Sequence, residues 1–153
     1  MDVDRLMTRL NPAVVWVLRS RLHGLLSWGL MLVTVTGRRT GRTYTIPVGY
    51  QRDREAITVL VSKPSRKQWW RNYHERRPMT VHVDGRSLAA HAVVVAPGSE
   101  AFREALERTL RRMPMLSGQF GIVYDRRSGL TDAQARTVAD RAAVVRIEFD
   151  EPA

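Results

Sequence analysis

A chain of 153 residues, 44% hydrophobic and 26% charged, has the size and make-up of one globular domain with a real core. It has no cysteine, which excludes disulfides and thiolate metal sites, and its four histidines are too dispersed for a zinc spacing, so no metal is expected. The formal net charge of +10 attracts phosphates, anionic cofactors or acidic lipids, although high-GC coding also produces arginine-rich chains in which only Lys63 and Lys67 are lysines.

The N-terminal MDVDRLMTRL carries acids where a signal peptide needs cations. The apolar run GLLSWGLMLVTVT is too short for a membrane span and is broken by Gly24, Ser27 and Gly29, so a cytoplasmic protein is expected. Asn11 and Pro12 form a helix start, and Val14, Val15, Leu18, Leu22, Leu25 and Leu26 repeat at helical spacing over about 12–28. That apolar face either packs on the core or lies on the acidic inner face of a membrane with Arg19 and Arg21 outward.

MLVTVT (31–36) alternates as a strand and RTYTIPVGY (42–50) reads as a second, joined by the hairpin connection GRRTG. Pro47 belongs at a sheet edge or a bulge, because it has no N–H for a central ladder. AITVLVS (56–62) follows the polar turn QRDRE as a third strand. Ser65 and Gln68 have capping-box spacing, which predicts a short helix from Arg66 through Tyr73. A hairpin of 79–85 and 87–96 turns at Asp84-Gly85, and Ser99-Glu100 opens an amphipathic helix to about Met113. LSGQFGIVYD is ambiguous; Thr131 and Gln134 cap a helix to about Ala142, and 143–149 closes the chain as a strand. The expected fold is a single α+β domain over 1–153, a mainly antiparallel six-stranded sheet able to close into a small barrel.

Two places concentrate cations beside backbone suited to anions. In the hairpin turn, Arg38, Arg39 and Arg42 flank Gly37 and Gly41, and guanidinium forks match phosphate or carboxylate oxygens. In KPSRKQWWRNY (63–73), Lys63, Arg66 and Lys67 precede the tryptophans at the start of the predicted helix, where a bound anion would meet N–H groups and cations together. Each place also reads as a solvated polar surface. Trp69 and Trp70 point about 100° apart on a helix, so one packs on the core and the other borders a pocket. Stacking on single-stranded nucleic acid would want spaced aromatics on strands, which carry valine, threonine and isoleucine here, and no nucleic acid is expected. No hydrolytic constellation stands out, so an enzyme built on this chain would rely on a cofactor.

TVTGRRTGRTYTIPVGY followed by LVSKPSRKQWWRNYHERRPMTVHVDG resembles the deazaflavin (F420)-dependent nitroreductase family of actinobacterial flavin/deazaflavin oxidoreductases. The matching pieces are Thr36-Gly37-Arg38-Arg39-Thr40-Gly41, Ser62-Lys63, Trp69-Trp70-Arg71-Asn72 and Pro78-Met79-Thr80-Val81, within about 30–95. The resemblance implies a split β-barrel of the FMN-binding-protein type. It also implies reduced coenzyme F420 as hydride donor to a small quinone-like or nitroaromatic acceptor, with FMN the second candidate. Cofactor-binding residues implied are Arg38, Arg39, Thr40, Gly41, Arg42, Pro47, Ser62, Lys63, Arg66, Lys67, Trp69, Trp70 and Asn72. Tyr124 is the implied proton donor, with Tyr44 and Tyr50 behind it, and a homodimer accords with the family's habit. The competing reading is a non-catalytic split barrel binding a fatty acid, a flavin or another small ligand. It draws on Pro64, which removes an N–H where the family often has glycines, and on the apolar N-terminal helix.

Overall fold

The computed structural model describes residues 29–53 and 56–151, together with Pro12 and Trp16. The helix expected over 12–28 lies outside the described residues apart from those two, which are helical. Among the described residues seven strands form one antiparallel sheet: β1 (Leu30–Thr36), β2 (Thr43–Gly49), β3 (Gln51–Arg52), β4 (Ile57–Ser62), β5 (Arg77–Val83), β6 (Arg86–Val95) and β7 (Ala142–Phe149). Helices α1 (Glu100–Arg112) and α2 (Asp132–Ala139) and two 3-10 helices, Trp69–Tyr73 and Pro114–Phe120, accompany it.

Strand order explains why the sheet curls. The order is β2-β1-β5-β6-β7-β4-β3, so the two edges, β2 and β3, are consecutive in the chain with Tyr50 between them. One short stretch of backbone serves both edges, which requires the sheet to wrap round on itself. β2 accordingly packs against β4 across the gap. This is a split barrel with one strand more than the sequence pattern suggests. The extra strand lies in the polar turn QRDRE, where Gln51 and Arg52 pair with Thr58 and Ile57. Two residues are too few to carry an alternation signal.

Alternation along the longer strands divides the apolar side chains between two cores. Met31, Val33, Val35, Val59, Val61, Met79, Val81, Ala143, Val145 and Ile147 fill the barrel. Ala142 and Val144, on the opposite face of β7, join Phe102, Leu106, Leu110, Phe120 and Val138 beneath the helices. A strand buried on both faces has no polar alternation, as AVVRIEF shows at its start. Pro47 stands opposite Leu32 on the edge strand β2, where its missing N–H costs no ladder bond.

Local signals decide the remaining boundaries. Asp84 (φ 52°) and Gly85 (φ 75°) take the left-handed conformations of a two-residue hairpin turn. Ser99 accepts a hydrogen bond from the Phe102 N–H at 3.2 Å to start α1, and Thr131 with Gln134 forms a complete capping box on α2. α2 stops at Ala139, short of the expected Ala142, because Ala142 already belongs to β7 and pairs with Ser62.

The helix expected over 66–73 is corrected to a turn followed by the five-residue 3-10 helix Trp69–Tyr73, and the Ser65–Gln68 capping box does not form. Lys63 takes φ 49°, and the Arg66 and Lys67 N–H groups donate to the Lys63 and Pro64 carbonyls, so the chain turns before any helix begins. Farther on, the Asn72 amide donates to the Trp69 carbonyl at 3.0 Å. In an α-helix that carbonyl would go to the Tyr73 N–H, and an asparagine side chain that takes it first favours the tighter turn.

Candidate functional site

The strand register gathers the predicted binding residues at one end of the barrel. Thr36 pairs with Thr43, Arg77 with Ala92, Val95 with Val144 and Ser62 with Ala142. The 37–42 turn, the 63–67 turn and the Trp69–Tyr73 helix therefore leave from the same end, and that helix packs against β1, β6 and β7. Trp69 is 6% exposed and Tyr73 1%, their rings meeting edge-on at 6.3 Å, so together they plug this end of the inner core.

A chain of hydrogen bonds ties the two cationic stretches together. Within the first turn, the Gly37 N–H donates to the Arg42 carbonyl at 2.8 Å and Gly41, at φ 68°, donates back to Gly37. The Arg38 N–H donates to Asn72 Oδ1 at 2.9 Å, and the Arg38 guanidinium donates to the Arg71 carbonyl at 2.7 Å. From the other side, Trp70 Nε1 donates to the Pro64 carbonyl at 2.9 Å, and Lys67 Nζ donates to Ser62 Oγ at 3.2 Å. Arg71 lies over the Trp70 ring, 5.6 Å from its centroid. Arg39, Arg42, Lys63 and Arg66 are exposed around this frame. No aspartate or glutamate occurs in the sequence from Leu30 to Arg52 or from Ala56 to His74. These stretches themselves contribute cations and no acid, and an anion is a partner that such a donor set fits.

The two tryptophans divide as their angular separation requires. Trp69 is core; Trp70 is half-buried, packed on the inner core with its indole N–H fixed by Pro64 and its edge near His74.

Of the three tyrosines expected as proton donors, the structure brings one into this group. Tyr44, 39% exposed, pairs across from Val35 and stands beside the Asn72 amide; burial raises its pKa and Asn72 partly offsets that. Tyr50 sits at the opposite end of the barrel, between the edge strands, where burial and then Asp84 raise its pKa. Tyr124 lies in the outer core and donates to Glu107 Oε1 at 2.5 Å; burial and that bond push its pKa up to about 12.

Two residues of the frame carried no separate signal in the sequence. Tyr73 was visible only as part of the aromatic spacing, yet it lies at the plug with a pKa pushed up to about 12 by burial, with Tyr44 close enough to add to it. Arg71 contributes its backbone carbonyl, which side-chain chemistry cannot advertise.

Comparison with known proteins agrees with this architecture. No curated protein matches the chain. Among solved structures, the heme storage protein HutZ from Vibrio cholerae superposes with a TM-score of 0.55 at 12% identity, covering 92% of this chain and 89% of HutZ. A protein described as a domain-swapped dimer superposes with a TM-score of 0.53 at 17% identity, covering 89% and 99%. At such identities these likenesses establish the fold alone. The sequence model of the F420H(2)-dependent quinone reductases, however, matches residues 10–117, a stretch that holds both cationic turns and the Trp69–Tyr73 plug, and the chain belongs to that family.

Proposed function

We propose that this protein is an F420H2-dependent oxidoreductase that transfers a hydride from the reduced deazaflavin to a small quinone-like or nitroaromatic acceptor. The observation that carries this reading is the frame built by Arg38 and Asn72. It unites two acid-free cationic turns at one end of the barrel, beside a half-buried tryptophan. The coenzyme supplies the hydride when bound, and its phosphodiester and glutamate tail is anionic. Arg39, Arg42, Lys63, Arg66 and Lys67 hold that tail, with Thr40, Gly41 and Ser62 offering polar and backbone contacts. Arg38 and Asn72 act mainly by holding the turn in place, since the Arg38 guanidinium and the Asn72 amide are already committed within the frame. Trp70 borders the ring side, Trp69 anchors the plug, and Pro47 keeps the neighbouring edge strand open. Tyr44 is placed to hold a proton for the acceptor. A hydrogen-bonded frame of this kind contributes orientation rather than bond chemistry.

The test is a titration of the purified full chain with oxidised F420 and, in parallel, FMN, at low and moderate salt. Saturable F420-selective binding that survives moderate salt and weakens in Arg39→Ala supports the reading. Binding of neither by a folded protein overturns it in favour of a split barrel carrying a lipid or another small ligand.

A further inference from the structure

After the site end of the barrel, the most unusual surface is the 111–127 segment, which no part of the proposed reaction uses. Its first half is the 3-10 helix Pro114–Phe120; Gly121, at φ 68°, ends it, and the Ile122 N–H donates to the Ser117 carbonyl at 3.2 Å. The segment is thus a closed, hydrogen-bonded cap. Leu116, Phe120, Ile122 and Tyr124 point inward onto the outer core. Met115 and Val123, between and beside them, point outward at 81% and 86% exposure, the highest of any large apolar side chains among the described residues.

These two side chains are framed by cations. Arg111 and Arg112 precede the cap and Arg126 and Arg127 follow it, all exposed; Arg111 is paired with Glu107 at 3.1 Å and Arg112 donates to Gln51 Oε1 at 3.4 Å, and Asp125 is the one acidic residue in 111–127. The cap is held rigidly. Arg141 donates to the Phe120 carbonyl at 2.8 Å, Gln134 to the Val123 carbonyl at 2.6 Å, and Tyr124 to Glu107. Rigid placement matters, because a mobile loop would fold its methionine and valine inward. Arg141 also precedes Ala142, the partner of Ser62, so the Phe120 end of the cap reaches the same end of the barrel as Lys63 and Lys67.

We infer that the cap is a docking surface for an anionic lipid bilayer, with Met115 and Val123 entering the headgroup boundary and Arg112, Arg126 and Arg127 facing acidic headgroups. Apolar side chains held outward gain by leaving water, and arginines on both sides of them gain near negative charge. A nucleic acid would use the cations and leave the apolar pair idle; an apolar protein partner would leave the cations unmatched. The use of this contact rests on the reading of a quinone-like acceptor, since acceptors of that class with apolar tails reside in membranes. The lipid binding itself does not depend on that reading.

The test is co-sedimentation of the full chain with vesicles of phosphatidylglycerol and phosphatidylcholine, against vesicles of phosphatidylcholine alone, without any coenzyme. Binding to the acidic vesicles is expected, with a loss of tenfold or more in Met115→Ser/Val123→Ser and a comparable loss in Arg126→Gln/Arg127→Gln. Because Met115 and Val123 are solvent-exposed, the first variant should fold as the parent does, which circular dichroism checks. Unchanged vesicle binding in that variant, or equal binding to neutral vesicles by the parent, overturns the inference. F420 titration of the same variant separates the two readings: retained F420 binding with lost vesicle binding supports the docking surface, while absent F420 binding in the parent strikes only the proposed reaction.

Discussion

The backbone N–H of Arg38 donates to Asn72 Oδ1 at 2.9 Å, joining residues 34 positions apart. Asn72 is 8% exposed, and its amide nitrogen also donates to the Trp69 carbonyl, so one side chain shapes the 3-10 helix and holds the hairpin turn against it. The two sequence stretches that carry the family resemblance meet through this residue. Its loss should therefore affect folding and binding together. Asn72→Ala is expected to cost about 1–3 kcal/mol of stability, the usual penalty for stranding buried polar partners. Urea denaturation and F420 titration of the same variant check it; loss of affinity without loss of stability would mean that Asn72 touches the ligand directly.

The exposed cations should behave differently. Arg39→Ala and Arg42→Ala leave the frame intact and are expected to keep parental stability. If these side chains grip an anionic tail, each removal costs roughly 1.5–3 kcal/mol of binding, or about 10–100-fold in affinity. Arg38→Ala should lower both quantities, because its guanidinium bonds to the Arg71 carbonyl. Isothermal titration beside thermal melting distinguishes the two classes.

The tryptophans provide a third contrast. Trp69→Ala empties a buried site in the inner core and should cost about 3–5 kcal/mol. Trp70→Phe keeps most of the packing and loses the bond to the Pro64 carbonyl, about 0.5–1.5 kcal/mol. The milder variant should still weaken coenzyme binding, because the 63–67 turn loses its tether. Equal stability losses in both would contradict the assignment of Trp69 alone to the core.

Glu107 makes the helix layer sensitive to acid. Burial, its largest influence, raises its pKa, but hydrogen bonds from Tyr124 and Leu130 and the nearby Arg111 together bring it below the ordinary carboxylate range. A carboxyl with a depressed folded pKa contributes stability above its unfolded pKa and loses it as pH falls through the folded value. Stability measured by denaturant titration should therefore decline on acidification below the ordinary glutamate range. In Glu107→Gln that part of the decline should vanish, at the cost of lower stability at neutral pH.

At the alkaline end the tyrosines act in the same way. Tyr73 and Tyr124 both have pKa values raised to about 12, Tyr73 chiefly by burial, and Tyr124 by burial and then by Glu107. The unfolded chain ionises near pH 10, before the folded one, so stability present below about pH 10 is lost as pH rises toward about 12. Tyr124→Phe should shift the onset of alkaline unfolding upward, read by phenolate absorbance against circular dichroism. An unchanged onset would assign the transition to Tyr73 alone.

Much of this architecture was legible in the sequence because local chemistry sets it. Asp84-Gly85 can supply left-handed backbone where most residues resist it, and the hairpin turns there. The caps at Ser99 and Thr131 satisfy N–H groups that no other neighbour could reach, and both helices start where they predict. The alternation in 31–36 and 56–62 reports a face turned to a core, and both are strands. The cationic turns were equally visible, and so was the burial of one of the two tryptophans, since residue type and angular spacing are properties of the chain itself; which of the two is buried was not.

Contacts between distant segments belong to the tertiary structure alone. Ser65 and Gln68 have the spacing of a capping box, but the left-handed Lys63 and the pull of Trp70 on Pro64 turn the chain before a helix can start. Gln51 and Arg52 become a strand only because the curled sheet brings Thr58 and Ile57 beside them. The three candidate tyrosines look alike in sequence, and the register sends Tyr50 and Tyr124 away from the Arg38 frame while leaving Tyr44 beside it. Spacing along a chain measures what a residue offers its neighbours within a turn or a strand. Which residues face one another across the barrel depends on how the whole sheet closes, and that is settled by the summed burial of two cores rather than by any short stretch.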